Sequence, residues 1–485
     1  MIRAVLTLLL AAATLSAQDN LDGQMRTFIE AFAAASANAA DPVNTEQVFY
    51  GGAIPHLLSR LDPHSTFFDP EQFQQLRRME TSTQKGFGSV VSILPGRVIV
   101  LQTVPGTPSA KAGLSPGDEI LAINGYIIAQ LDLDQLPQLL EAARQRPARL
   151  DVRRPGRAGL LSFTLIPEEM QSPSVDRAFF LSAGIGYVRI GSFEQKTPDQ
   201  LKEAIDKLGG DRLAGLVLDL RNNPGGMVEA ALRIAGMFLP PGSKILTVRG
   251  RHVPEKSEFV PGIATPYHFK LAILVNEKTA SASEIVSGAM QDHDRATIIG
   301  TPSFGKGLVQ SVFPLSEGTG LALTTALYYT PSGRSIQKPL ANDFGLAATT
   351  AHPNQVTDFH TDKGRLVKGG GGIQPDIVVF PPEMNRLRAV LDASGSFTNF
   401  ATDYLHTHQV DKDFEVTPDL LDKFRLFLSD RQIRPGLSEW LAESEFVTNR
   451  LKTEIFNQAF GVEKGDEVEA QRDPVILKAV EVVGS

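Results

Sequence analysis

Three short segments carry residue types able to do covalent chemistry: Thr279-Ala280-Ser281-Ala282-Ser283-Glu284, Asp219-Leu220-Arg221-Asn222-Asn223-Pro224-Gly225-Gly226 and Phe304-Gly305-Lys306-Gly307-Leu308-Val309-Gln310. In the first, Ser281 stands where an apolar strand from Leu271 to Val275 gives way to a helix from Ala282 to about Gln291. Serine there, with Glu284 three residues on, reads as a capping box. It also reads as a nucleophile, because free N–H groups at a helix start point toward any oxyanion formed beside them. The two readings are compatible. In the second segment, Gly225 and Gly226 are either turn chemistry or a place where backbone approaches a substrate and offers N–H donors. One such donor is worth about 100–1000-fold in rate, or about 3–4 kcal/mol.

In the third segment, a lysine between glycines is ordinarily a solvated loop residue. To act as a base it must be neutral, so its pKa must fall from about 10.4 toward roughly 7–8, at a cost of about 4 kcal/mol. Desolvation supplies such a shift, and the flanking glycines let a surface close over the amine. Gln310 lies four residues on, on the same face of an extended segment. Its neutral amide can orient Lys306 without adding a negative charge. A Ser–His–Asp triad is the competing arrangement. His293 follows Ser281 closely in sequence, but at the far end of the same helix, about 18 Å along its axis.

These segments need a scaffold, and the chain supplies alternating strands and helices. Gly186–Ile190 reads as a strand, Thr197-Pro198-Asp199 opens a helix with a cap residue and Pro at the first position, ended by Gly209-Gly210, and Leu213–Leu220 is a buried strand. A helix from Met227 to about Phe238 follows, then the strand–helix pair bearing Ser281. Such alternation predicts an α/β core. Before it, residues 84–168 have a different texture: short β runs at Val90–Ile93 and Arg97–Leu101, a turn at Asn124-Gly125, a helix from Leu133 to Arg144, and a strand pair over Ala148–Ile166. Residues 18–83 read as helical, with a turn or helix start at Asp62-Pro63-His64-Ser65, where His64 reads as a turn or packing residue; 339–372 read as a polar surface loop, and 383–485 as amphipathic helices.

The bulk numbers bound the classes. A net charge of −8 with no dense Lys/Arg tract argues against a nucleic-acid binder. No cysteine is present, which excludes thiol catalysis and disulfides, and no His/Asp/Glu cluster suggests a metal; no cofactor is expected. Residues 1–17, with Arg3, an apolar run and a small residue at Ala17, read as a secretory signal too short to span a bilayer. Export to the periplasm or exterior, soluble or peripherally attached to a membrane, is the expectation.

Taken together, the motifs resemble the carboxyl-terminal processing (tail-specific) proteases, a family of serine–lysine peptidases. Leu61-Asp62-Pro63-His64-Ser65, the run from Asp219 to Gly226, the block from Ser281 to Gln310 with its 25-residue step to Lys306, and Tyr328-Tyr329-Thr330-Pro331-Ser332-Gly333-Arg334-Ser335-Ile336-Gln337 occur in the family's order. The resemblance resumes at Gly372-Ile373-Gln374-Pro375-Asp376.

It implies a multidomain α/β protein. A crotonase/Clp-like serine-protease core (169–382) would carry an inserted PDZ domain (84–168), a β-rich, partly open barrel. Helical segments would flank them at 18–83 and 383–485. It also implies an acyl-enzyme mechanism, with Ser281 as nucleophile, Lys306 as base and Gln310 holding it. Ala282 and Gly225 or Gly226 would donate to the oxyanion, with Ser283 as the alternative serine. Gly86-Phe87-Gly88-Ser89 would be the PDZ carboxylate-binding loop, receiving protein or peptide tails with free C-termini. Phe87 departs from the smaller aliphatic residue usual there, and Arg153 or Arg154 is the candidate for PDZ gating of the site. Dimerisation through the terminal helices and an adaptor protein remain open. The alternative from another class is a catalytically silent PDZ binding or chaperone protein.

Overall fold

A computed structural model describes residues 21–80, 83–94, 96–132, 135–171, 173–338 and 358–485. The expected secretory signal therefore lies outside the described residues. The chain divides into two compact units, the first holding described residues 21–73 and 311–324 and the second the remainder.

In the first unit a helix spans 21–38, where the rings of Phe28 and Phe32 lie 6.1 and 4.8 Å from that of Phe49. The helical expectation for 18–83 misses one element: Thr66–Phe68 is a strand, antiparallel to Gly320–Ala322. Three residues are too few for a periodic signal, and the pairing partner is some 250 positions away. Before it, Asp62 Oδ1 accepts the N–H groups of His64 (2.8 Å) and Ser65 (2.9 Å), an Asx-type turn.

The second unit contains the α/β core. Its six-stranded sheet runs Val175–Ser182, Ile185–Ile190, Gly215–Asp219, Lys270–Val275, Thr297–Gly300, Ile377–Val378 in spatial order. The first pair is antiparallel and the rest parallel. The central strands are aliphatic on both faces, as parallel strands covered on both sides must be. On one face Leu216, Leu218, Ile273 and Val275 pack with the helices Thr197–Lys207, Val228–Gly236 and Ala282–Asp292. On the other, Val217, Ala272 and Leu274 meet the last helix, Pro474–Gly484. At Thr197 the structure amends the sequence reading. The cap position is Lys196, and the Thr197 hydroxyl instead receives the N–H of Glu194 at 2.7 Å.

The inserted β-rich module is present. Ser89–Leu94, Arg97–Thr103, Glu119–Ile123, Ala148–Arg153 and Leu161–Leu165 form one sheet in that order, with Ser89–Leu94 at its edge. Val98, Val100, Ile120, Leu150 and Val152 share its core with Leu136 and Ala143 of the helix Gln135–Arg144.

The segment read as a polar surface loop contains a short hairpin. Phe359–His360 pairs with Leu366–Val367, and Arg365 of this hairpin bridges Asp294 (2.5 Å) and Asp376. Residues 339–357 lie outside the description. Beyond 382, five helices from Arg386 to Phe460 share a core of Leu391, Phe397, Phe424, Leu428, Val447, Leu451 and Ile455.

Candidate active site

The strand Lys270–Val275 ends at a tight turn, in which Asn276 Oδ1 accepts from Lys278 N–H (3.2 Å) and Thr279 donates its N–H to Asn276 O (2.8 Å). The chain then enters the helix Ala282–Asp292, every residue of which is buried. Ser281 sits at the junction, half-buried, with φ 54° and ψ −115°. A residue with a Cβ rarely occupies that conformation, and strained backbone of this kind gathers at functional sites, as at a nucleophile elbow. The next amide, Ala282 N–H, has no acceptor among the described residues.

What holds the strained residue is Glu284. Its buried carboxylate accepts from four groups: Ser281 N–H (2.9 Å) and Lys306 N–H (2.9 Å) on Oε2, Gly305 N–H (2.7 Å) and the Ser303 hydroxyl (2.5 Å) on Oε1. One side chain thus ties together the backbones of Ser281 and Lys306, which are 25 residues apart. Burial pushes the Glu284 carboxyl above its ordinary pKa, against the opposing pull of these donors. Tyr328 makes a second tie from outside the helix. Its hydroxyl lies 3.1 Å from Ser281 O and 2.7 Å from Lys306 O. Complete burial, reinforced by the Glu284 charge, raises the Tyr328 pKa well above the usual phenol, so it remains a neutral donor.

Lys306 is half-buried, and its Nζ donates to Gln310 Oε1 at 3.0 Å. Gln310 belongs to the strand Leu308–Pro314, which starts two residues past the lysine. Among the described residues no hydrogen bond joins Lys306 Nζ to Ser281 Oγ. Bonds between a nucleophile and its base commonly tighten only once substrate is bound.

The glycine loop meets the same junction. A Cβ on Gly225 would lie 2.8 Å from Ser281 Cβ and 2.9 Å from Ala282 N, so only glycine permits this approach. The two glycines differ as donors. Gly225 N–H is given to Asn223 Oδ1 at 2.8 Å, whereas Gly226 N–H has no acceptor among the described residues. Asn223 is fully buried and holds its orientation through Nδ2 to Ile190 O (2.7 Å).

Residues 184–350 match the model of peptidase family S41, and residues 99–154 match a PDZ domain model. A carboxy-terminal-processing protease of Bartonella bacilliformis is 38% identical over 297 residues, covering 60% of this chain and 68% of that protein. The chain belongs to the carboxyl-terminal processing proteases of peptidase family S41. Two further relatives agree: a carboxyl-terminal-processing protease of Synechocystis at 35% over 292 residues (59% of this chain, 68% of that one), and the carboxy-terminal processing protease CtpB of Bacillus subtilis at 29% over 329 residues (67% and 68%). It is a serine-type peptidase with a PDZ domain.

In this S41 peptidase the other sequence candidates have separate places. Ser283 is fully buried and spends its hydroxyl on Asn223 O (3.2 Å). His293 caps the far end of the helix Ala282–Asp292, between Asp362 Oδ2 and Lys244 O, both at 2.7 Å. In the PDZ domain, Gly86-Phe87-Gly88-Ser89 leads into the edge strand, and Gly88, at φ 76°, leaves no room for a Cβ against Thr107. Phe87 is half-buried and packs on the PDZ core. Arg153 and Arg154 are held inside the module by Glu119 and by the buried Asp118, the latter through a fork with both bonds at 2.7 Å. Neither Tyr328 nor the Asn223 carboxamide stands out in the sequence by itself, and Glu284 reads there only as a cap.

Proposed function

We propose that this peptidase is an exported endopeptidase that cuts proteins at or near their C-termini through an acyl-enzyme on Ser281. Lys306, neutral, removes the Ser281 proton as the hydroxyl attacks the scissile carbonyl, then returns it to the leaving amine. Gln310 orients the amine. Ala282 N–H, next to Ser281, and Gly226 N–H, next to the glycine that packs on Ser281, have no acceptor among the described residues and receive the oxyanion. Water then deacylates the serine, with Lys306 again as base. The PDZ edge strand Ser89–Leu94 takes the substrate tail by strand addition, with its carboxylate at the loop from Gly86 to Ser89.

The observation that supports this most is the double tie of Glu284 and Tyr328 on the Ser281 and Lys306 backbones. A scaffold with no covalent chemistry has no need to fix a strained serine and a lysine on one carboxylate. The test uses the mature chain and fluorescein-labelled casein, an unfolded protein. Ser281→Ala and Lys306→Ala are each expected to abolish cleavage while leaving the melting temperature near wild type. Cleavage that persists in both variants refutes the mechanism. Binding of tail peptides by a wild type that never cleaves would favour the silent chaperone instead.

A further inference from the structure

The last helix does more than cover the sheet. It begins at Asp473, whose two carboxylate oxygens have different tasks. Oδ1 caps the helix, accepting from Val475 N–H (2.8 Å) and Ile476 N–H (3.2 Å), while Oδ2 takes Arg221 Nη1 at 2.7 Å. Arg221 opens the loop that ends at Gly226. Its remaining donors go to Asp219: Nε at 3.0 Å from both oxygens, Nη2 at 2.6 Å and the backbone N–H at 2.9 Å. Asp219 is itself buried at the end of its strand, where it also accepts from Tyr187 Oη at 2.7 Å. One guanidinium is therefore stretched between the sheet and a helix 252 positions away in sequence, in the wall of a cavity of about 310 Å³ above the carboxyl ends of the parallel strands. The planar fork of arginine fixes direction as well as distance.

We propose that Asp473 is a positioning residue for catalysis: through Arg221 it sets the start of the loop that delivers Gly226 N–H to the oxyanion. This rests on the reading of Ser281 as nucleophile and Gly226 as donor. Asp219 alone fixes one side of the guanidinium. With Asp473 removed, Nη1 turns to water and the loop pivots about Asp219. Displacements of an ångström at a reacting centre carry large rate penalties, whereas casein binding along the PDZ edge is untouched.

The test exploits the divided carboxylate. Asp473→Asn keeps an oxygen to cap the helix but sets an amide or a neutral oxygen against Arg221. With the full chain and fluorescein-labelled casein, kcat is expected to fall about 10- to 100-fold with KM changed less than about threefold. Arg221→Gln, which leaves the helix cap alone, should show the same split, and the double variant should be no slower than the slower single, since both break one link. Val483→Ala, which thins the helix packing over Gly215 far from the loop, should lower the melting temperature but spare kcat. The inference is overturned if Asp473→Asn keeps wild-type kcat, if the two losses multiply, or if Val483→Ala loses kcat equally. Cleavage that survives Ser281→Ala sinks the catalytic reading and this inference together; cleavage that needs Ser281 but not Asp473 sinks this inference alone.

Discussion

Glu284 shows how much one side chain can settle. Four donors converge on a carboxylate with no solvent contact, and two of them belong to the backbones that carry the proposed nucleophile and base. Glu284→Gln replaces one acceptor oxygen with an NH₂ that faces N–H groups. Each donor left without a partner costs about 1–3 kcal/mol, so a stability loss of at least that size is expected in urea unfolding. Cleavage of casein should fall with it, because Ser281 and Lys306 lose their common reference. Wild-type turnover in a folded Glu284→Gln chain would show that the tie is dispensable. In the sequence this residue was half visible. The three-residue step from Ser281 identified a cap, but its partners at 303, 305 and 306 arrive only when Thr297–Gly300 pairs with Lys270–Val275. Ser281, Lys306 and Gln310 stand out in the sequence because residue types able to do such chemistry lie in short motifs, and the 3.0 Å bond from Lys306 to Gln310 needs only local extended chain.

At the scale of elements, the loop from Asp219 to Gly226 is the most constrained. Gly226 has φ 140°, and a Cβ there would stand 2.1 Å from Phe193 O. Gly226→Ala must push that backbone aside, so the expected outcome is a destabilisation of ~3 kcal/mol or more together with a drop in kcat of about 100-fold. An alanine variant with unaltered thermal melting would refute the close approach. The α/β alternation and the PDZ texture were readable because long buried strands and amphipathic helices carry strong periodicity. The Thr66–Phe68 strand and the Arg221–Asp473 link were not. The first is too short to show alternation, and the second joins residues with no shared local pattern.

For the whole molecule, a buried carboxyl contributes to the dependence of stability on pH. Glu454, in the helix Ser444–Phe460, is buried, and burial raises its pKa above the ordinary 4.5 despite Arg450 nearby. An acid whose pKa is higher folded than unfolded is held protonated by the native state. Its stabilising effect is complete below about 4.5 and is lost as pH rises through the folded value. Glu454→Gln removes one such group, so its melting temperature should exceed that of the wild type at pH 7–8, with the gap closing toward pH 4. A gap that is constant with pH would mean Glu454 does not titrate in this way. A different consequence follows from the way Glu284 and Tyr328 grip only main-chain atoms of Ser281 and Lys306. The frame is blind to what the serine carries beyond its Cβ. Since the chain has no cysteine, a thiol installed at 281 would be the molecule's sole sulfhydryl, and a reporter attached to it would watch the strained junction of strand and helix against a silent background.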